Sequence, residues 1–314
     1  MPFDFSQICA PFRMQPGLRR IAPGSAQLTP ASSGGRHLRE KMAVLASHAD
    51  EALVDVAGFD AVPALHAIAN EATQLSATPF TYNGANDCEA PRLGWAIRAG
   101  RPEGTGDAAI GDLLASLPPS RRATALLCLA FEEDFAVIDG ATATIPWLAV
   151  CLPSRWAPEK KVGRHFAEVH APVADNGLLI EASDRLARLV TGADRWERFV
   201  WTISADPRLP QHPARGDVRW PDDADAEAIA ALASFRHEHQ TFVPVPGTGQ
   251  AVFTIRVASE ALDAAVRARE DAMRLSDALA SMSPAVLVYR GLSTVQDRLI
   301  EALTSRIAAL PARS

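Results

Sequence analysis

Apolar positions recur at helical spacing in some stretches of the chain and alternate in others, and the two patterns occupy different regions. Leu38, Met42, Leu45, Ala52 and Leu53 fall on one face of a 3.6-residue period, so His37–Val56 is expected to be a helix. Val62–Ala72 is expected to be a second. Ile110–Leu117 and Ser120–Ala130 form two more, separated by Pro118-Pro119, which removes backbone donors and breaks the run; Ser120 is placed to cap the later one. Beyond residue 131 the period shortens. Phe135–Ile138 and Thr142–Cys151 are expected as strands joined by the hairpin signal Asp139-Gly140. Arg198–Ser204, Phe235–Val243 and Gln250–Val257 are three further strands, the last two joined through Pro246-Gly247-Thr248-Gly249. Leu178–Val190, Glu260–Ala280 and Ser293–Ala309 return to the helical period, with Ser259 and Ser293 as possible caps.

Other stretches show no period. Residues 1–35 are rich in Pro, Gly and Ser and are expected to form an extended arm, leaving 36–314 as a single domain. Ser76–Arg92 is expected to be loop, with a turn at Asn83-Gly84-Ala85-Asn86-Asp87, and Pro207–Asp225 is a Pro- and Asp-rich excursion. The order is helices, then five strands in two hairpins with a helical insertion, then helices. That order predicts an α+β fold with an antiparallel sheet rather than a doubly wound one. No GxGxxG follows a strand and no GxxxxGK[ST] occurs, so neither a dinucleotide site of Rossmann type nor a P-loop is supported.

Composition narrows the function classes. The 314 residues are 48% hydrophobic and 22% charged, with net charge −6, which disfavours a nucleic-acid surface. No apolar run reaches the roughly 18 residues needed to span a bilayer, and no signal peptide is evident. The four cysteines, Cys9, Cys88, Cys128 and Cys151, form no CxxC pair, which gives little support to zinc or iron–sulfur ligation and points to a cytoplasmic setting. Six tryptophans accompany only two tyrosines, and five of the six lie between Trp95 and Trp201. Such a cluster can line a large flat ligand, although any one Trp is ordinarily core.

The densest chemistry lies in Cys151–Val173. It holds Pro153-Ser154-Arg155-Trp156, the cations Lys160, Lys161 and Arg164, and the histidines His165 and His170. His170 could be a buried imidazole bonded to a carbonyl, or a metal or haem ligand, with His165 as competitor. Pro172 biases Ala171 towards extended backbone, which argues against a helical setting for His170. The cations are either a solvated loop or an anion clamp for a phosphate or for haem propionates. In Phe235–Val243, Arg236, Glu238 and Gln240 point to one face, and His237 and His239 to the other. The two histidines could be half of a non-haem metal site with His165 or His170, and Arg236 with Glu238 a salt bridge inside a cleft or a plain surface ladder. Asp134 could be a catalytic carboxylate or a junction cap.

These blocks, in order, resemble the haem-dependent oxidative N-demethylase, alpha-subunit-like, family. The matching pieces are Phe12-Arg13-Met14, Lys41, Glu133-Asp134, Pro153-Ser154-Arg155-Trp156, Lys161-Val162-Gly163-Arg164 and His170-Ala171-Pro172-Val173. Trp201, the run Arg236-x-Glu238-x-Gln240-Thr241 and Phe253-Thr254-Ile255-Arg256 complete them. The resemblance implies a PAS-like antiparallel sheet, flanked by N-terminal and C-terminal helices, that binds haem b. It implies an enzyme that uses O2 to demethylate a small amine, releasing formaldehyde, with electrons from a flavin and iron–sulfur reductase partner. By the same analogy His170 becomes the axial ligand, with His165 and His239 as competing candidates. Arg155, Lys161, Arg164, Arg236 and Glu238 become cofactor contacts. The chain departs from the family pattern at His165 (usually Pro), Val200 (usually Asn), His239 (usually Arg) and Ala174-Asp175 (usually Pro-Gly). A haem-binding or sensing protein without catalysis is the alternative those departures raise.

Overall fold

A computed structural model of the chain describes residues 3–311 apart from 23, 85–86, 217 and 309. The expected α+β class, helices with antiparallel sheet, is what the chain adopts. A short strand β1 (Arg19–Arg20) precedes α1 (Arg36–Ala52), β2 (Leu53–Asp55) and α2 (Val62–Ala72). Four short strands follow: β3 (Thr81–Gly84), β4 (Asp87–Ala90), β5 (Trp95–Arg98) and β6 (Arg101–Gly104), ahead of α3 (Ala108–Ser116) and α4 (Pro119–Ala130). The hairpin β7 (Glu133–Asp139) and β8 (Thr144–Ala149) leads into α5 (Phe166–His170), α6 (Gly177–Glu181) and α7 (Ser183–Val190). Then come β9 (Trp196–Ser204), α8 (Ala226–Leu232), β10 (Ser234–Val245) and β11 (Gln250–Ala261). The remaining helices are α9 (Leu262–Ala265), α10 (Arg269–Ala280), α11 (Pro284–Arg290) and α12 (Gln296–Ile307).

The main sheet has seven strands in the order β1-β9-β10-β11-β7-β8-β2, every neighbouring pair antiparallel. Its spine is β10 with β11, in unbroken register from Ser234↔Ala261 to Val245↔Gln250. Alternation along these strands sends side chains to two opposite faces. One face, bearing Ala136, Leu148, Phe242 and Phe253, is covered by the segment that follows β8, through Val162, Phe166, Val169, Ala187 and Val190. Elsewhere α1, α2, α4 and the small sheet build one large core, and α8 to α12 build a second with Trp201, Ile203 and Phe235. Phe3, Phe5 and Ile8 of the amino-terminal arm are buried in that second core. Each contributes roughly 1.5–3 kcal/mol by leaving water, so this part of the arm is packed.

Several boundaries differ from the expected ones. Ser76–Arg92 is not simply loop. It contains β3 and β4, and with β5 and β6 these make a four-stranded meander packed through Phe80, Tyr82, Cys88 and Ile97. Ala85 and Asn86 of the expected turn lie outside the described residues. The first helix stops at Ala52 because Leu53–Asp55 pairs with Trp147–Ala149. The β7–β8 connection is four residues long, Gly140 to Ala143, with the Asp139 carboxylate accepting from the amides of Ala141 (3.1 Å) and Thr142 (2.9 Å). The helix expected over Leu178–Val190 divides at Ala182, and the one expected over Glu260–Ala280 yields its start to β11. Ala309, the end of the last expected helix, lies outside the described residues. Among the described residues no helix is long and apolar enough to cross a membrane.

Candidate functional site

The segment after β8 turns back and lies along that strand's edge. The Gly163 amide donates to Ile145 O (2.8 Å), the Ile145 amide to Arg164 O (3.2 Å), and the Phe166 amide to Ala143 O (2.7 Å). Gly163 sits at φ +73°, a left-handed conformation that glycine adopts without strain. His165 then caps α5: its Nδ1 accepts the Ala167 amide (3.2 Å) and its Nε2 lies 3.0 Å from Asp184 Oδ1. Because Nδ1 accepts, the ring proton belongs on Nε2, facing the carboxylate. Both nitrogens of His165 are thereby engaged.

His170 is the last residue of α5, a helical setting that corrects the extended one expected from Pro172. Ala171 keeps φ −54° and ψ −36° because the turn's carbonyls are taken up locally. The Val173 amide donates to His170 O (3.0 Å), and Asn176 Nδ2 to His170 O (3.2 Å) and Ala171 O (2.8 Å). The imidazole packs on the Phe166 ring, centroids 4.1 Å apart, and its Nδ1 donates to Phe166 O at 2.8 Å. Burial lowers its pKa to about 4, reinforced by Arg198 and Lys161 and opposed by the Phe166 hydrogen bond. The ring is therefore neutral at physiological pH, its proton sits on Nδ1, and its Nε2 lone pair has no partner among the described residues. Lys161 braces the same helix, its Nζ donating to Val169 O (2.7 Å), and burial lowers its pKa.

Beside His170 lies the polar end of the covered sheet face. Arg198 on β9 stands opposite Gln240 on β10, and Val200 opposite Glu238. Glu238 accepts from Ser154 Oγ on one carboxylate oxygen and from Gln240 Nε2 (2.5 Å) on the other. Arg236, 1% exposed, donates to Ser154 Oγ from Nε (2.9 Å) and Nη2 (2.7 Å), and to the carbonyls of Arg208 (3.0 Å), Leu209 (2.8 Å) and Pro153 (3.4 Å). Its guanidinium is committed to tying the loop to the sheet. Burial lowers its pKa to about 10, against the opposing charges of Glu238 and Asp206. Arg198 has no such partners. No carboxylate pairs with it and no hydrogen bond reaches it among the described residues, and its Nε is buried and unsatisfied. Such an orphaned donor costs about 1–3 kcal/mol.

The remaining expected residues disperse. Arg155 holds a left-handed backbone (φ +61°) and reaches Arg290 O at 3.4 Å, and Arg164 is an exposed partner of Glu168. His239 is stacked on Phe199 (4.4 Å) with Nε2 2.7 Å from Glu197, on the opposite face from Glu238. His237 is buried against Phe3 and Phe235. Neither joins a group of three possible metal ligands among the described residues. The group that does form is Glu51, Glu159 and His212. There His212 Nδ1 accepts the Ala214 amide (3.2 Å), so Nε2 carries the proton towards Glu159 (3.2 Å), and Arg215 already pairs with Glu51. That is an ion-pair cluster in which the His212 ring offers no lone pair to a cation and Arg215 already neutralises Glu51. Asp134 is a structural anion: it pairs with the fully buried Lys41 (3.1 Å) and accepts the Leu152 amide (2.6 Å).

Pattern reasoning missed Arg198 and Tyr289. Arg198 stands at the start of the expected strand, where a charge passes for a solvated flank. An available signal was its phase, since it shares the alternation that places Val200 inward. Tyr289 lies on α11, a helix the pattern did not isolate, and burial raises its pKa, with Arg290, Glu238 and Arg198 acting on it. The family model for haem-dependent oxidative N-demethylase, alpha subunit-like, matches residues 105–300. No curated protein matches the chain.

Proposed function

The chain belongs to the haem-dependent oxidative N-demethylase, alpha-subunit-like, family, and from that premise we propose that it binds haem b through His170 and demethylates a small amine. The observation that carries this reading is the state of the His170 ring. Its Nδ1 is tied to Phe166 O at 2.8 Å and its Nε2 is unclaimed, which is how a protein presents a neutral imidazole to iron. The donor set fits haem in two further respects. The partly buried Phe253 and the aliphatic chains of Val162 and Val169 provide an apolar wall, and the unpaired cation Arg198 provides a counter-charge for a carboxylate.

Haem, when bound, supplies the oxidising chemistry; an N-methyl amine, O2, two electrons and two protons would yield the demethylated amine, formaldehyde and water. The chain's own residues orient and support. Lys161, Asn176 and the His165 cap hold the backbone of α5, and the Phe166 carbonyl and ring orient the His170 imidazole. Arg236 and Ser154 fix the loop over the sheet, and Glu238, held by Ser154 and Gln240, presents negative charge that attracts an ammonium group. Arg155 and Arg164, nearer the surface, are candidates for outer contacts. No nucleotide-binding motif stands in the chain, so a flavin and iron–sulfur reductase partner would deliver the electrons. The free thiols are in keeping with a cytoplasmic setting.

The test is the purified protein reconstituted with haem b. A Soret band, and formaldehyde released from a panel of N-methyl amines with a supplied electron donor, is the expected result. Absence of the band ends the haem reading. A band without formaldehyde across the panel favours a haem sensor, the reading that Val200, an apolar residue opposite Glu238, supports.

A further inference from the structure

Arg198 and Arg290 are two arginines near one another's elements that lack any carboxylate within salt-bridge distance among the described residues, and both leave Nε buried and unsatisfied. Arg290 has a local explanation. Its guanidinium lies over Phe12 (4.6 Å) and Trp201 (5.4 Å) and donates to Trp201 O and to Met14 Sδ (3.8 Å), so aromatic faces and a carbonyl hold it. Arg198 has none. On its own face the neighbours are neutral, Val200 along β9 and Gln240 across the ladder, and the adjacent Glu197 is engaged by Arg19 and His239 instead. The carboxylate nearest in the same face, Glu238, is already shared between Ser154 and Gln240. Burial lowers the Arg198 pKa, against Glu238 and Tyr289. The Arg290 bond to Trp201 O seats the end of α11 on β9, and this brings Tyr289 to the same strand as Arg198. Tyr289 is 46% exposed and open to solvent, whereas Arg198 Nε is buried.

We propose that Arg198 anchors a carboxylate of the bound cofactor, so that one haem propionate ends between Arg198 on β9 and the Tyr289 hydroxyl on α11. This rests on the haem reading above. A guanidinium presents parallel N–H donors that match a carboxylate, and the pairing satisfies the donor that the folded chain leaves open. An amine substrate cannot serve instead, because its ammonium charge is repelled by Arg198. An anion is required, and the cofactor brings two.

The experiment titrates the full-length apoprotein with haem b and, separately, with haem dimethyl ester, in which both carboxylates are esterified. Binding is read from the Soret band and from quenching of tryptophan fluorescence. Arg198→Met is expected to weaken haem b by ten-fold or more while leaving the ester's affinity within about two-fold, with Arg198→Lys intermediate and Tyr289→Phe a smaller loss. Equal losses for both porphyrins, or none, would overturn the proposal. So would an unchanged haem affinity with weakened binding of fluoride to the ferric protein, which assigns Arg198 to the iron's own ligand. If Arg198→Met does not fold, as judged by circular dichroism, the wild-type comparison still decides: ester and haem b binding equally well refutes a propionate anchor. Failure of wild-type protein to bind either porphyrin is a separate result, and it removes the haem reading itself.

Discussion

Arg236 on β10 grips Ser154, in the loop beyond β8, through two of its nitrogens, Nε at 2.9 Å and Nη2 at 2.7 Å. The same guanidinium holds three backbone carbonyls, those of Arg208, Leu209 and Pro153, so one buried cation joins a strand, the loop and the excursion after β9. Arg236→Met is expected to destabilise the protein by about 3–5 kcal/mol, because it strands those carbonyls and the Glu238–Ser154 pair without a donor. Arg236→Lys should recover only part, since an ammonium lacks the planar fork. Urea denaturation of the two variants measures this; a loss under about 1 kcal/mol for Arg236→Met would show that the network carries little.

Lys41 and Asp134 make a fully buried ion pair, at 0% exposure for each residue. Burial alone would lower the Lys41 pKa, but Asp134, with the Cys128 and Cys151 thiols, raises it above its ordinary value. Lys41→Met leaves the Asp134 charge alone in the core, at an expected cost of about 3–5 kcal/mol. Adding Asp134→Asn removes that charge while keeping an acceptor for the Leu152 amide, and should return a substantial part. Thermal melts of the two single variants and the double variant close the cycle. An additive result would mean that the two side chains do not act as a pair.

How much of this was legible in the sequence depends on the element. The strands of the main sheet announce themselves because β-branched and aromatic residues alternate between real turn signals, as in Gln250–Val257 beside Pro246-Gly247-Thr248-Gly249. The small sheet is silent because Thr81–Gly84, Asp87–Ala90 and Arg101–Gly104 are four-residue strands with few β-formers; packing of Phe80 and Ile97, not local preference, decides them. In the site, His170 stands out by its neighbours in sequence. Arg198 does not, because what marks it is the absence of a partner, which becomes visible only when the strands are paired. The residue before Pro172 misled for a related reason: Asn176, six positions beyond His170, supplies the bond that keeps the turn helical.

His237 sets a pH dependence. Burial lowers its pKa to about 4, with Arg256, His239 and Arg236 adding to the shift, whereas an unfolded histidine titrates at 6.5. A depressed pKa means that the unfolded chain takes up the proton first. Stability from this group is therefore complete above pH 6.5 and falls as the pH drops from 6.5 to about 4, by roughly 3 kcal/mol in total. Replacing the imidazole by a phenyl ring, His237→Phe, suits its neighbours Phe3 and Phe235 and removes the proton site. The prediction is a flatter stability profile between pH 4 and 6.5 for His237→Phe than for wild type, by urea titration at each pH. Parallel profiles would assign the acid sensitivity to other groups.

The two histidines of α5 should separate cleanly once haem is bound. His165 spends Nδ1 on the Ala167 amide (3.2 Å) and Nε2 on Asp184 (3.0 Å), which makes it a helix cap with nothing left for iron. His165→Ala removes that cap and should cost about 1 kcal/mol, leaving the Soret band in place. His170→Ala removes the free Nε2 and should abolish or shift the band, and imidazole added to that variant should restore it by entering the space left behind. His239→Ala, on the far face of the sheet and paired with Glu197 at 2.7 Å, should leave the spectrum unchanged. A band lost in His165→Ala or His239→Ala, and kept in His170→Ala, would reassign the axial ligand. If the ligand is His165, the α5 turn must also rearrange when haem enters, because His165 cannot ligate without releasing the Ala167 amide and Asp184 together.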